Sequence, residues 1–168
     1  DVYKRQYMKN IMNRPYLNMN IATRLHYYSC NFVTKQILQT MKYYIEKTTD
    51  ASFEEAITRV TEELKKEGFG VLTEIDVSAT LKKKIDVDFK NYRILGACNP
   101  SFAYKALSTE DKIGTMLPCN IIVQQISASQ VEIAAVNPIA SMQAIENGEL
   151  NSVANEILAK LERVISNS

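Results

Sequence analysis

The stretch from Leu150 to Ile165 sets Leu150, Val153, Ala154, Ile157, Leu158, Leu161, Val164 and Ile165 at helical spacing. Steps of three and four residues bring these side chains onto one face, about four turns long. A stripe of that size needs a broad apolar partner, and one face of a β-sheet supplies it. The preceding residues read as the strands of such a sheet.

Lys42 to Thr48 alternates Tyr43, Ile45 and Lys47 against Tyr44 and Glu46, the two-residue period of a first strand. Ser52-Phe-Glu-Glu55 then reads as a capping box, in which the Ser52 hydroxyl accepts from the backbone of Glu55 and the Glu55 side chain reaches back. Phe53, Ala56, Ile57, Val60 and Leu64 form the inward face of the helix it starts. Gly68 ends that helix in the left-handed conformation, with Phe69 folding back onto the last turn. Val71 to Val77 is a second strand, expected to show Val71, Thr73, Ile75 and Val77 on one face and Leu72, Glu74 and Asp76 on the other. Ser78 is expected to cap a short helical segment through Ile85. Its Lys82-Lys83-Lys84 run reads as a solvated face, since no glycine-rich phosphate loop accompanies it.

Tyr92 to Cys98 is apolar on both faces and fits an interior strand. Asn99-Pro100 ends it and begins a helix, because asparagine caps well and proline at the first helical position has no N–H to lose. Phe102, Ala103, Ala106 and Leu107 face inward from that helix, and Gly114 breaks the segment. A fourth strand is expected from about Thr115 to Ile126, with Pro118 at its start, at an edge or in a bulge. Ser127 to Ser129 makes a hairpin turn, Gln130 to Val136 the fifth strand, and Asn137-Pro138 repeats the strand-ending chemistry of Asn99-Pro100. The expected fold is α+β, in the order strand, helix, four strands, helix. Short connections favour an antiparallel sheet with the helices packed on one face.

The 168 residues suit one domain, and 46% hydrophobic with 23% charged is the composition of an ordinary soluble globular protein. No apolar run approaches a membrane span and no secretory leader is visible, so a cytoplasmic location is expected. Three cysteines, an odd number, fit free thiols in a reducing compartment. Charge divides the chain. Residues 1–40 hold six Lys/Arg against Asp1, whereas residues 41–168 hold 14 basic and 18 acidic residues, a net of −4. Residues 1–40 therefore read as a basic segment outside the fold, non-native or disordered, with Met41 as the expected natural start. Within it Leu25 to Leu38 is a candidate helix. An acidic domain over 41–168 argues against nucleic acid as its partner.

Phe69-Gly70, Ile94-Leu-Gly-Ala-Cys-Asn-Pro100, Ala106-Leu107, Ile113-Gly114 and Leu117-Pro-Cys-Asn120 together resemble a family known by number only, domain of unknown function 302, over about Met41 to Ile165. The resemblance implies a strand-helix-four-strand-helix layer like that of TATA-binding-protein-like folds. It also implies a homodimer without an established activity; it brings no catalytic residues and leaves the cofactor unknown.

The chemistry left open centres on the two Cys-Asn pairs. An antiparallel pairing of the third and fourth strands brings the end carrying Cys98 beside the end carrying Cys119. Cys98, Asn99, Pro118, Cys119 and Asn120 then form a candidate small-molecule site in a non-enzymatic binding or regulatory module. The alternative is a thiol-dependent redox or sulfur-handling protein using Cys98 and Cys119, or a soft-metal site helped by Met116. The plain reading of both thiols is core packing. In the redox version the helix starting at Pro100 acidifies Cys98 through its N-terminal partial charge. Histidine is confined to His26, so a Cys-His or Ser-His nucleophile within 41–168 is excluded. Two cysteines do not make a structural zinc site. Asp76 is a further candidate for a cleft carboxylate, and the asparagine amides of Asn99 and Asn120 can orient a ligand or serve as caps.

Overall fold

Val131, Ile133, Ala135, Ile121, Val123, Leu95 and Ala97 alternate inward along three neighbouring strands and are almost entirely buried, and this layer sets the fold. The computed structural model describes residues 42–143, 145 and 147–168. The expectations placed on residues 1–40, and on Met41 as a start, lie outside the described residues. In chain order the elements are β1 (Tyr44–Thr49), α1 (Phe53–Lys66), β2 (Gly70–Asp76), α2 (Val77–Ile85), β3 (Tyr92–Cys98), α3 (Pro100–Thr109), a 3-10 turn (Ile113–Met116), β4 (Cys119–Ser127), β5 (Gln130–Val136), α4 (Pro138–Ser141) and α5 (Glu149–Asn167).

The strands form one five-stranded sheet in the order β1-β5-β4-β3-β2, and every neighbouring pair is antiparallel. β3 holds an interior place, as its two apolar faces require, and β4 is the central strand. α1 and α5 cover one face. α5 contributes Val153, Ile157, Leu161, Val164 and Ile165 to the core, and α1 contributes Ala56, Val60 and Leu64. A second cluster of Ala106, Ile113, Met142, Leu150 and Ala154 fastens α3 and the start of α5 to one another. The fold is thus the α+β arrangement expected, with helices on one face.

Local chemistry fixes the ends. Ser52 Oγ accepts from the Glu55 N–H, but the Glu55 carboxylate pairs with Arg59 instead of reaching back, so half of the capping box forms. Gly68 has φ +84°, the Gly68 N–H donates to the Lys65 carbonyl and the Phe69 N–H to the Leu64 carbonyl, a glycine-closed helix end. Lys47, on the covered side of β1, reaches the last carbonyls of α5 at Ser166 and Ser168 (2.9 and 2.6 Å). A cation at that helix end is favourable.

Glu67 joins the two main helices. Arg163 holds its carboxylate from two nitrogens at 2.7 and 2.8 Å, and Lys160 adds a third contact at 3.2 Å. The Arg163 bonds, then Lys160, outweigh the opposing effect of burial and bring the Glu67 pKa down from the ordinary 4.5 to about 2. A carboxylate with a depressed folded pKa stabilises the fold above its unfolded pKa and loses that contribution as pH falls through the folded one. Denaturant midpoints should therefore fall between about pH 4.5 and about pH 2, and Glu67→Gln should flatten that decline. An unchanged slope in the variant would remove Glu67 from the acid response.

Five expectations need correction. Leu107 is exposed and not inward, and of the expected inner face of α3 only Ala106 is fully buried. β2 does not keep one face throughout: the register slips between Val71 and Thr73, so Val71 lies opposite Ala97 while Thr73 lies opposite Gly96. This bulge turns Val71 inward and leaves Thr73 and Ile75 on the side away from α1 and α5, the open side of the described sheet. α2 is capped by Asp76, whose carboxylate accepts from the Ala79 N–H and the Ser78 hydroxyl (both 2.8 Å), rather than by Ser78. β4 begins at Cys119 and not near Thr115, because Ile113–Met116 coils into a 3-10 turn and Pro118 has no N–H for a ladder. Leu158 is half-buried at the flank of the α5 stripe, and Leu161 is the fully buried leucine there.

Candidate functional site

The Cys-Asn motifs divide between two surroundings, because adjacent residues of a strand point to opposite sides of a sheet. Cys119 lies opposite Ala97 and Asn120 opposite Gly96. Cys119 therefore shares the helix-covered side with Ala97, while Asn120 stands on the uncovered side. Cys98 is one residue beyond the Ala97–Cys119 pair, at the end of β3, opposite Gly70 of β2.

Both thiols border one crevice, walled by Phe69, Phe102, Ala106, Leu117, Met142 and Ile157. It measures about 10 Å³, room for no more than one water. Burial, and then the neighbouring Cys98, push the Cys119 thiol up to about 11. Burial also raises Cys98 above its ordinary value. The expected acidifying helix end is occupied: the Asn99 side chain accepts from the Ser101 and Phe102 N–H groups at the start of α3 and so takes up the donors a thiolate would use. Asn99 also donates to the Glu67 carbonyl at 3.5 Å, so it is a cap and a tie, not a free ligand group. Asn137 does the same before α4, accepting from Ile139 and Ala140 and donating to the Lys42 carbonyl. The two Asn-Pro pairs thus share one local chemistry.

Alkylation of the native protein should therefore be slow, with Cys98 reacting before Cys119 and both accelerating only on the alkaline side of an ordinary thiol. A thiol titrating near pH 7 in Cys98→Ser or Cys119→Ser protein would contradict this. Met116 lies in the 3-10 turn, 40% exposed and outside the crevice. Among the described residues no group of three or more His, Cys, Asp or Glu side chains is placed to hold a metal ion. Asp76 is committed as the α2 cap, and hydrogen bonds from Ala79 and Ser78, with Arg93 nearby, lower its pKa. It is a structural carboxylate held in its charged form.

The larger space lies, among the described residues, on the face of the sheet away from α1 and α5. A cavity of about 450 Å³ is lined by Tyr43, Tyr44 and Glu46 of the β1 region, Tyr92 of β3, Asn120, Ile122 and Gln124 of β4, and Glu132, Ala134 and Val136 of β5. The register explains its concavity. Ala134 stands between Glu46 and Ile122, and Gly96 stands next to Asn120, so the middle of the face has short or absent side chains. Tyrosines rise on either side. Tyr43 and Tyr44 meet edge to face at 4.7 Å, and Tyr92 lies across from Gln124. Gln124 donates to Glu132 at 2.5 Å and steadies that carboxylate. Burial raises the Tyr92 pKa, with Glu132 and Tyr43 adding to the shift.

Of the residues the sequence singled out, only Asn120 borders this cavity; Cys98, Asn99 and Cys119 border the crevice. Pro118 sits over Gly96, where its Cγ would lie 2.8 Å from an added Cβ. The signal for the cavity was present as polar and aromatic residues at alternate positions of four strands. They form a cavity only when the register stacks them.

A five-stranded antiparallel layer under two helices, bearing a tyrosine-rimmed cavity, describes a small α+β domain. The chain belongs to the family described as Domain of unknown function DUF302, whose profile matches residues 45–168. The crystal structure of an uncharacterised conserved DUF302 protein from Bacillus stearothermophilus is similar to it, with a TM-score of 0.71 and 28% sequence identity, over 76% of this chain and 98% of that one. No curated protein matches the chain. Among the described residues no helix is long and apolar enough to cross a membrane.

Proposed function

We propose that residues 42–168 form a non-enzymatic small-molecule binding module that works as a homodimer, with its ligand on the uncovered sheet face rather than at the cysteines. One observation carries the reading: the open-face cavity has about 450 Å³ against about 10 Å³ for the crevice between the thiols. The former falls within the range of known ligand pockets, roughly 300–1,000 Å³. Its lining combines aromatic rings with convergent amide and carboxylate groups, which hold and orient a ligand without supplying a nucleophile.

The homodimer is supported by the edge strand β2 and the chain that leads from it to β3. Leu72, Ile75, Ile85, Val87 and Phe89 are all exposed there, Leu72 at 67% and Ile85 at 63%, and α2 buries none of its residues. Bare apolar side chains gathered at one edge of a sheet mark a contact surface, and a second copy of this chain is the proposed occupant. Native mass spectrometry reads both features at once. The expected species is a dimer that carries a small-molecule adduct, and Asn120→Trp, which fills the cavity from an exposed strand position, should keep the dimer and lose the adduct. A monomer at micromolar concentration would remove the dimer. An adduct retained in Asn120→Trp would remove the open face as the site.

A further inference from the structure

At the rim of the open-face cavity, an ammonium group of this chain already pairs with two of the residues that line it. Lys42 places its Nζ 2.7 Å from Glu46 Oε1 and 5.4 Å from the centre of the Tyr44 ring. Both partners line the cavity. The lysine is at the rim with its side chain 63% exposed, on a stem free to swing away from the sheet. Its carbonyl is held by Asn137, so the backbone stays in place whichever way the side chain turns.

The rest of the lining repeats the same chemistry. Glu132 is a second carboxylate, fixed by Gln124, and Tyr92 stands near enough to feel both it and Tyr43. The face thus offers two carboxylates and three tyrosine rings, with Lys42 as the neighbouring cation. An anion entering here meets two like charges. A cation meets the negative faces of the rings as well as the carboxylates, and partial desolvation in a concave site strengthens both attractions. The apolar floor of Ile122, Ala134 and Val136 leaves space for a body larger than an ammonium group alone.

Resting on the reading of the open face as the binding site, we infer that its ligand is a small primary amine carried on an apolar or aromatic body, which takes the place that the Lys42 ammonium holds beside Glu46 and Tyr44. The ammonium lies between Glu46 and the tyrosines, its body covers Ile122 and Ala134, and Glu132 borders the far side.

Phenethylammonium chloride and its neutral counterpart 2-phenylethanol, titrated separately into isotopically labelled protein, test this through backbone amide shifts. The amine should shift Tyr44, Glu46, Tyr92 and Glu132 and bind about tenfold or more tightly than the alcohol, the order expected from one cation–π contact plus a screened carboxylate. Glu46→Gln should weaken the amine several-fold and leave the alcohol unchanged. Lys42→Gln, which removes the competing ammonium, should tighten the amine. The same spectra show that each variant is folded. Equal binding of amine and alcohol at these residues overturns the amine inference while leaving the open face as a site. Weaker amine binding in Lys42→Gln also overturns it, since the lysine would then be assisting the ligand. If neither compound shifts these residues and both shift Phe102 and Cys119, the open-face reading falls with it.

Discussion

Leu161→Ala is expected to lower the unfolding free energy by ~2–5 kcal/mol, the range for removing a buried leucine when the surroundings close only in part. Leu161 is fully buried in the core cluster that also contains Val60, Leu64, Val123 and Ile133, so its loss opens a cavity between α5, α1 and the sheet. A domain of ordinary stability has about 5–15 kcal/mol in total, and the change will be plain in urea midpoints. Leu158→Ala provides the control. Leu158 lies on the same helix but is half-buried, and it should cost clearly less. Equal losses at the two positions, or a loss below about half a kcal/mol at Leu161, would mean that α5 is rotated about its axis from the arrangement described.

Gly96→Ala should destabilise by ~1–3 kcal/mol, the usual cost of forcing an extra carbon into a packed site. The reason is local. Gly96 sits in β3 between Thr73 of β2 and Asn120 of β4, and an added Cβ would collide with Thr73 Oγ1 and lie 2.8 Å from Pro118 Cγ. The threonine is exposed and can turn its hydroxyl aside, but the proline ring has no rotamer to escape into. Gly70, by contrast, has open space around the same construction, and Gly70→Ala should be nearly silent in the same denaturant titration. A neutral Gly96→Ala would show that Pro118 does not rest on β3.

Much of the fold was legible because local signals agreed. The Leu150–Ile165 stripe became the inner face of α5. The Asn99-Pro100 and Asn137-Pro138 pairs both became caps, and Gln130–Val136 is the observed extent of β5. Where the reading slipped, the deciding term was not local. The bulge in β2 depends on how Val71 and Thr73 pair with β3, and alternation along β2 alone gives no sign of it. Asp76 outcompeted Ser78 as the α2 cap because its carboxylate accepts from Ala79 and Ser78 together. The site was least legible. Two similar Cys-Asn strings drew attention to one end of the sheet, yet the alternation of β4 sends Cys119 into the core and Asn120 to the open face. Tyr44, Tyr92 and Glu132 are far apart in sequence and meet only through β1-β5-β4-β3 pairing.

The central claim is that the ligand occupies the open face and not the thiol crevice. It is tested most directly by titrating phenethylammonium chloride into isotopically labelled protein, with the amide shifts followed residue by residue. The account predicts saturable shifts at Tyr44, Tyr92, Asn120, Gln124 and Glu132, with Cys98, Phe102 and Cys119 unmoved. Shifts concentrated at Cys98, Phe102 and Cys119, with the open face silent, would contradict it.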